Sequence, residues 1–284
     1  MTTRTLIQAE ELASLLGDAR LRIFDCRFDL ARPTYGRTAY LDEHLPGAIY
    51  ADLNTDLASA ATATSGRHPL PSAAEFEARL RAWGLHADSR VVAYDDSNGA
   101  YAARLWWMLR WVGHDDVAVL DGGMRRWLQL GLPLSDEVPA PAPGRFTARP
   151  RSAMTVSADD MLAASADPAA RILDARAPER YRGEVEPIDR VAGHIPGARN
   201  HAFGTSLDPQ GRFLAPDALR ASLRPSLDSI GAERTIVYCG SGVTACHVLL
   251  ALEHAGLGGA RLYPGSWSQW SSDPGRPVRT GAAP

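Results

Sequence analysis

Hydrophobic and polar positions alternate in blocks along this chain, with short apolar runs followed by longer amphipathic stretches. Residues 91–94 form an apolar run of strand length and precede an amphipathic stretch over 102–112. Residues 236–238 precede the stretch 243–254 in the same way. Strands that alternate with helices are typical of a mostly parallel sheet covered by helices. The pattern therefore predicts an α/β fold.

The same short motifs occur twice, in the same order, in the two halves of the chain. The paired segments are 23–27 with 172–176, 43–48 with 193–198, 90–95 with 234–239, and 120–123 with 263–266. This predicts a duplicated domain, because each half is long enough to bury its own core. A stiff Pro/Ala-rich stretch lies between the halves. We therefore predict a first domain over 1–134, a linker over 135–152 and a second domain over 153–284.

Composition narrows the class of protein. The chain has 284 residues, a net charge of −3 and no run of 18 apolar residues, so neither nucleic acid nor a membrane is an expected partner. The N-terminal segment has no apolar core of signal-peptide length, which favours a cytoplasmic location. All 30 basic residues are arginines, and the lack of lysine excludes Schiff-base enzymes and P-loop nucleotide sites.

The three cysteines are too few and too irregularly spaced for a disulfide framework or a zinc site. No metal and no cofactor are expected. Cys26 and Cys246 are interpreted as packed core residues, whereas Cys239 has a different setting. It follows an apolar strand and opens the loop Cys-Gly-Ser-Gly-Val-Thr, which leads into a helix. Backbone N–H groups of such a loop and the helix dipole both favour a thiolate, the reactive form of cysteine.

The loop Cys-Gly-Ser-Gly-Val-Thr-Ala resembles the active-site loop of the rhodanese-type sulfurtransferases, in the form found in their 3-mercaptopyruvate branch. The resemblance covers essentially the whole chain. It implies two rhodanese-like domains, each a mostly parallel central sheet flanked by helices. It also implies a sulfurtransferase in which Cys239 takes sulfur from a small anionic donor as a persulfide. The sulfur then passes to a thiol, thioredoxin or cyanide.

The resemblance also implies roles for residues around Cys239. Arg180 matches the arginine that binds the donor carboxylate. In the family a second arginine directly follows a Glu-Pro pair, but here Glu186-Pro187 is followed by Ile188 and Asp189. Either Arg190, the next residue, replaces that arginine, or the donor is bound differently. Ser241 and His68 match a hydroxyl and an imidazole that move a proton, with Asn54 at the position of their acid partner, flanked by Asp52 and Asp56. The loop amides are expected to stabilise the thiolate and the persulfide; they belong to Gly240, Ser241, Gly242, Val243 and Thr244.

Three alternatives bear on these expectations. Phosphatases of the same fold carry a Cys-x5-Arg loop, but the residue six positions after Cys239 is Ala245. Non-enzymatic rhodanese modules usually lose the cysteine or the glycines, as in the first half, where Asp95 stands at the loop position. Thiosulfate:cyanide sulfurtransferase is the alternative enzyme. Its loop tends to be basic, whereas Gly240 and Ser241 are neutral, which favours 3-mercaptopyruvate as the donor.

Overall fold

The computed structural model describes residues 4–284. The first three residues of the segment in which no signal peptide is predicted lie outside that range. Contacts divide the chain into two compact units. The first comprises the chain up to Ser59, Leu70–Arg151 and Gln210–Arg212, and the second comprises Ala60–Pro69, Ser152–Pro209 and Phe213–Pro284. The bounds at residues 134 and 153 stay a sequence-based prediction, and they assign Ala60–Pro69 to the first domain.

The first unit contains a five-stranded sheet in which every pairing is parallel. Its strands are β1 (Leu6–Ile7), β2 (Leu21–Asp25), β3 (Ala48–Tyr50), β4 (Arg90–Tyr94) and β5 (Val117–Leu120), in the order β1-β5-β4-β2-β3. The α-helices that flank it are α1 (Ala9–Leu15), α2 (Tyr35–Asp42), α3 (Ala73–Ala82), α4 (Ala102–Trp111) and α5 (Gly123–Gln129).

The second unit repeats this plan with four parallel strands. They are β6 (Arg171–Asp174), β7 (Ala198–Asn200), β8 (Thr235–Tyr238) and β9 (Arg261–Leu262), in the order β7-β6-β8-β9. Its helices are α6 (Ala158–Ser165), α7 (Pro178–Tyr181), α8 (Pro216–Leu227), α9 (Thr244–His254) and α10 (Ser266–Trp270). The predicted α/β fold with mostly parallel sheets is thus confirmed in both units.

Local sequence explains where several helices begin. Ser72 and Glu75 form a capping box at the start of α3, and Ser157 and Asp160 form one at the start of α6. In each box a hydroxyl accepts a backbone N–H that the helix cannot satisfy, and the acid accepts another. Proline occupies the first position of α7 and α8, where its missing N–H costs nothing.

The duplication extends to the buried polar groups. Asp25 and Arg27 form a buried ion pair at the end of β2, and Asp174 and Arg176 form its counterpart after β6, each at 2.6 Å. In the sheets, Asp25 lies opposite Tyr94, and Asp174 lies opposite Tyr238. The residues that follow β4 and β8 therefore stand at equivalent places, beyond the carboxyl ends of strands inside each sheet.

Candidate active site

Cys239 is the first residue after β8 and is buried, with 2% of its surface exposed. Its backbone is held on both sides. The Cys239 N–H donates to Ser266 Oγ at 3.1 Å, and the Cys239 carbonyl accepts from the N–H of Trp267 at 2.9 Å. Ligands of α/β sheets bind beyond the carboxyl ends of the strands. The predicted nucleophile therefore lies where the fold places reactive groups.

The loop after Cys239 directs a backbone donor at its sulfur. The Gly242 N–H lies 3.1 Å from Cys239 Sγ and donates to it. Gly242 has a φ of +76°, and a Cβ there would lie 2.5 Å from the Pro264 carbonyl oxygen, so the position requires glycine. A backbone N–H at this distance stabilises negative charge on the sulfur. Within residues 4–284, none of the other predicted loop amides donates to Sγ; they belong to Gly240, Ser241, Val243 and Thr244.

Two further predicted residues are brought together beside this loop. Ser241 Oγ and His68 Nδ1 lie 2.8 Å apart and share a hydrogen bond. Both residues are buried, and both belong to the second unit, because Ala60–Pro69 is part of it. A hydroxyl bonded to an imidazole can pass a proton in either direction, because each group can both donate and accept one.

The acids near the predicted partner position have their own contacts within the first unit. Asp52 Oδ1 accepts the N–H of Asn54 at 2.7 Å, and Asp56 Oδ2 accepts the N–H of Asp52 at 2.9 Å. Asp56 also forms an ion pair with Arg79 at 2.9 Å. Both acids therefore stabilise the local turn. A third group that orients His68 stays a prediction.

Arg180, on α7, lies close to the loop. A Cβ placed on Gly240 would be 3.5 Å from Arg180 Nη1. The guanidinium is fixed by Glu186, whose Oε1 accepts from Nη2 at 2.6 Å, and by Asp189 at 3.2 Å. Burial disfavours the Glu186 carboxylate, but its bonds to Arg180 and to backbone N–H groups outweigh this and hold its pKa below the usual value.

Arg190 has a different setting. It is exposed, and it lines a cavity of about 230 Å³ together with Arg67, Asp189 and Ser268. Within residues 4–284, no hydrogen bond or ion pair of Arg190 links it to the cysteine loop. The structure thus brings Arg180, and not Arg190, into contact distance of Gly240.

Three residues around the loop were missed by sequence reasoning. Arg67 approaches Gly240, with Nη2 2.9 Å from a Cβ placed there, and Asp189 forms ion pairs with Arg67 and Arg180. Ser266 holds the Cys239 N–H. A signal for Arg67 was present, because it directly precedes His68. Asp189 and Ser266 reach the site only through folding, since they are far from Cys239 in sequence.

Two kinds of feature are absent from the described part of the chain. Between Arg4 and Pro284, no group of three or more His, Cys, Asp or Glu side chains is arranged to hold a metal ion. No helix in the same range combines the length and the apolar character needed to cross a membrane.

Comparison with known proteins gives consistent matches. The sequence matches the rhodanese-like domain twice, over residues 8–130 and 157–273. It is 48% identical to a probable 3-mercaptopyruvate sulfurtransferase of Pseudomonas aeruginosa, over 99% of this chain and all of that protein. A Mycobacterium tuberculosis protein, provisionally named a thiosulfate sulfurtransferase, is 44% identical over 99% of this chain and 98% of its own length.

A solved structure extends this likeness to three dimensions. The 3-mercaptopyruvate sulfurtransferase from Leishmania major has a TM-score of 0.84 against this chain at 32% sequence identity. The match covers 95% of this chain and 75% of that one.

Proposed function

The chain belongs to the rhodanese-like family, and on that premise we propose that it is a sulfurtransferase that takes sulfur from 3-mercaptopyruvate through Cys239. The resemblance drawn from the cysteine loop is confirmed at the level of the family. The observation that carries the proposed chemistry is the position of Cys239, buried at the end of β8 with the Gly242 N–H on its sulfur.

The proposed reaction has two half-reactions. In the first, the Cys239 thiolate attacks the sulfur of 3-mercaptopyruvate, so that an S–S bond forms and the donor C–S bond breaks. The electron pair of that bond passes to the donor as pyruvate enolate, which takes up a proton and leaves as pyruvate. In the second, a thiol, thioredoxin or cyanide attacks the outer sulfur of the persulfide and restores the thiolate. Such covalent catalysis predicts ping-pong kinetics.

Each group near Cys239 has a role in one of the two proposed half-reactions. The Gly242 N–H stabilises negative charge on the Cys239 sulfur. The Ser241–His68 pair supplies the proton that the enolate needs. Arg180 binds the donor carboxylate, for which a planar guanidinium is suited, and Arg190 is a second candidate from the sequence.

Thiosulfate is the alternative donor. The named Mycobacterium tuberculosis relative favours it, and so does the proximity of two guanidiniums to Gly240. Against it, the residues that directly follow Cys239 carry no charge of their own. We propose the cytoplasm as the location, because it keeps thiols such as that of the free Cys239 reduced.

The test compares kcat/KM for sulfur transfer from 3-mercaptopyruvate and from thiosulfate, to a small thiol and to cyanide. Intact mass of the protein after donor treatment reports whether one sulfur has been added. Cys239→Ser should lose both the added sulfur and turnover, whereas Cys26→Ala, a change at another buried cysteine, should keep both.

The possible outcomes separate the parts of the proposal. A higher kcat/KM with 3-mercaptopyruvate supports the donor assignment. A higher value with thiosulfate contradicts the donor and keeps the persulfide. Turnover by Cys239→Ser would contradict the role of Cys239.

A further inference from the structure

Two guanidiniums converge on the residue after the nucleophile. A Cβ placed on Gly240 would lie 2.9 Å from Arg67 Nη2 and 3.5 Å from Arg180 Nη1. Arg67 comes from the segment Ala60–Pro69 of the second unit, and Arg180 from α7. The neutral cysteine loop therefore acquires positive charge from two separate parts of the chain.

Arg67 is fixed to the loop by its backbone. The Arg67 N–H donates to Ser268 Oγ at 3.1 Å, and the N–H of Ser268 donates to the Gly240 carbonyl at 2.9 Å. The side chain, by contrast, has hydrogen-bonding capacity left over. Arg67 Nε is buried and has no hydrogen-bond partner in the described chain. A buried donor without a partner costs free energy, so this nitrogen favours an arriving acceptor.

Asp189 joins the two arginines. One of its carboxylate oxygens accepts from Arg67 Nη1, and the other accepts from Arg180 Nη2 at 3.2 Å. Its side chain is only 6% exposed. Glu186 has a different function, since it binds both Arg180 and the buried Arg176. Asp189 thus sets a carboxylate between the two cations nearest to Gly240.

That carboxylate has the chemistry of the donor's own anionic group. Resting on the proposed function, we propose that Arg67 is the second donor-binding guanidinium and that the donor carboxylate displaces Asp189 from it. Arg180 keeps its bonds to Glu186 throughout, so the arginine that changes partner is Arg67. Without a donor, Asp189 neutralises the charge of the partly buried Arg67.

Displacement is physically reasonable because Asp189 is incompletely stabilised. Burial raises the pKa of the Asp189 carboxyl, and the charges of Arg67 and Arg180 only partly offset this. An arriving carboxylate can also use Arg67 Nε, which Asp189 leaves without a partner. An internal carboxylate that must leave lowers the apparent affinity for every anionic donor.

The experiment measures the donor half-reaction alone. The rate of persulfide formation on Cys239 is followed in single turnovers across 3-mercaptopyruvate concentrations, which gives a half-saturating concentration and a limiting rate. Arg67→Gln should raise the half-saturating concentration about tenfold or more, the usual loss when a hydrogen bond to a charged group is removed. Arg67→Lys, which keeps the charge and loses the planar fork, should raise it less.

Asp189→Asn gives the discriminating result. It removes the competing charge at nearly constant shape, so the half-saturating concentration should fall about threefold, with the limiting rate nearly unchanged. Pyruvate, which has the carboxylate and no transferable sulfur, should inhibit this variant more strongly than the wild type. Arg182→Gln changes a partly exposed arginine beside α7 that is paired with Glu184, and it should leave both parameters unchanged.

The outcomes are separable. An unchanged or higher half-saturating concentration in Asp189→Asn overturns the inference, because Asp189 would then only position the arginines. So does an unchanged value in both Arg67 variants, provided that thermal unfolding shows them folded. If the wild type forms no persulfide from 3-mercaptopyruvate, the proposed function itself fails.

Discussion

The loops that follow β4 and β8 occupy equivalent places and differ in what fills them. In the first unit the loop opens with Asp95, and in the second with Cys239. Each carbonyl is held in the same way, since Asp95 accepts from the N–H of Met124 at 2.8 Å and Cys239 accepts from that of Trp267 at 2.9 Å. The backbone frame is therefore shared.

The groups inside the two loops, however, differ. The buried Asp95 carboxylate accepts four backbone N–H groups, each at 2.8 Å; they belong to Ser97, Gly99, Tyr101 and Ala102. The Cys239 sulfur accepts one, from Gly242. Both loops direct backbone N–H groups at their first side chain, four in the first unit and one in the second. In the first unit these donors hold a carboxylate, whereas in the second the single donor reaches the reactive sulfur.

The largest expected effect comes from removing the carboxylate inside the loop of the first unit. Asp95→Ala leaves four buried or partly buried N–H groups without their acceptor, and we expect the free energy of unfolding to fall by about 3 kcal/mol or more. Urea denaturation measures this. Sulfur transfer by the folded fraction should be unchanged, because Asp95 takes no part in the proposed chemistry.

Asp95→Asn is the matched control, since it keeps one acceptor oxygen and should lose less stability than Asp95→Ala. If Asp95→Ala unfolds at the wild-type urea concentration, the carboxylate does not hold the loop. If its folded fraction loses turnover, the first unit contributes to the reaction itself.

Much of this comparison could be predicted from sequence. The paired motifs gave the duplication, and the apolar runs gave β4 and β8 to within one residue. The sequence also identified Cys239 as a candidate nucleophile, because the strand, the glycine-rich loop and the helix around it consist of consecutive residues.

A second, smaller expected effect concerns one glycine in each loop, because substitution of Gly242 and of Gly99 should have different consequences. Gly242→Ala forces a left-handed residue against the Pro264 carbonyl and moves the N–H away from the sulfur. Loss of one such preorganised donor lowers turnover about 100-fold, as measured by kcat/KM. Gly99→Ala, also left-handed at φ +86°, should cost about 1–2 kcal/mol of stability and leave kcat/KM intact.

The inferred difference between the two loops is contradicted if Gly242→Ala and Gly99→Ala change kcat/KM to the same extent. Equal losses of kcat/KM would mean that both loops serve the reaction, and intact kcat/KM in Gly242→Ala would mean that its N–H is not needed at the sulfur.

What sequence could not predict depends on long-range folding. Arg67 reaches Gly240 only because Ala60–Pro69 belongs to the second unit, which no local pattern reveals. The role of Arg190 stays a prediction, and the ion pair of Asp189 with Arg67 likewise joins residues that are distant in sequence. Side chains that come from distant segments have no characteristic spacing in the sequence, so their contacts follow only from how the chain packs.

The smallest expected effect concerns the turn that holds each loop's carbonyl. Ser266 has a φ of +52°, a left-handed conformation unusual for a residue with a side chain, and its counterpart Gly123 has a φ of +54°. Ser266 Oγ accepts the Cys239 N–H and donates to the Tyr263 carbonyl at 3.0 Å. The hydroxyl thus accounts for a serine where the first unit has glycine.

Ser266→Ala and Ser266→Gly both remove that hydroxyl, and each should lower kcat/KM about fivefold, the worth of one neutral hydrogen bond. Their stabilities should differ, because glycine relieves the left-handed strain that alanine keeps, by about 1 kcal/mol in urea denaturation. Equal stabilities would show that Ser266 is unstrained, and wild-type kcat/KM in both variants would show that the Cys239 N–H needs no partner. The left-handed serine is explained by its hydrogen bond to the backbone of Cys239, which it holds in place.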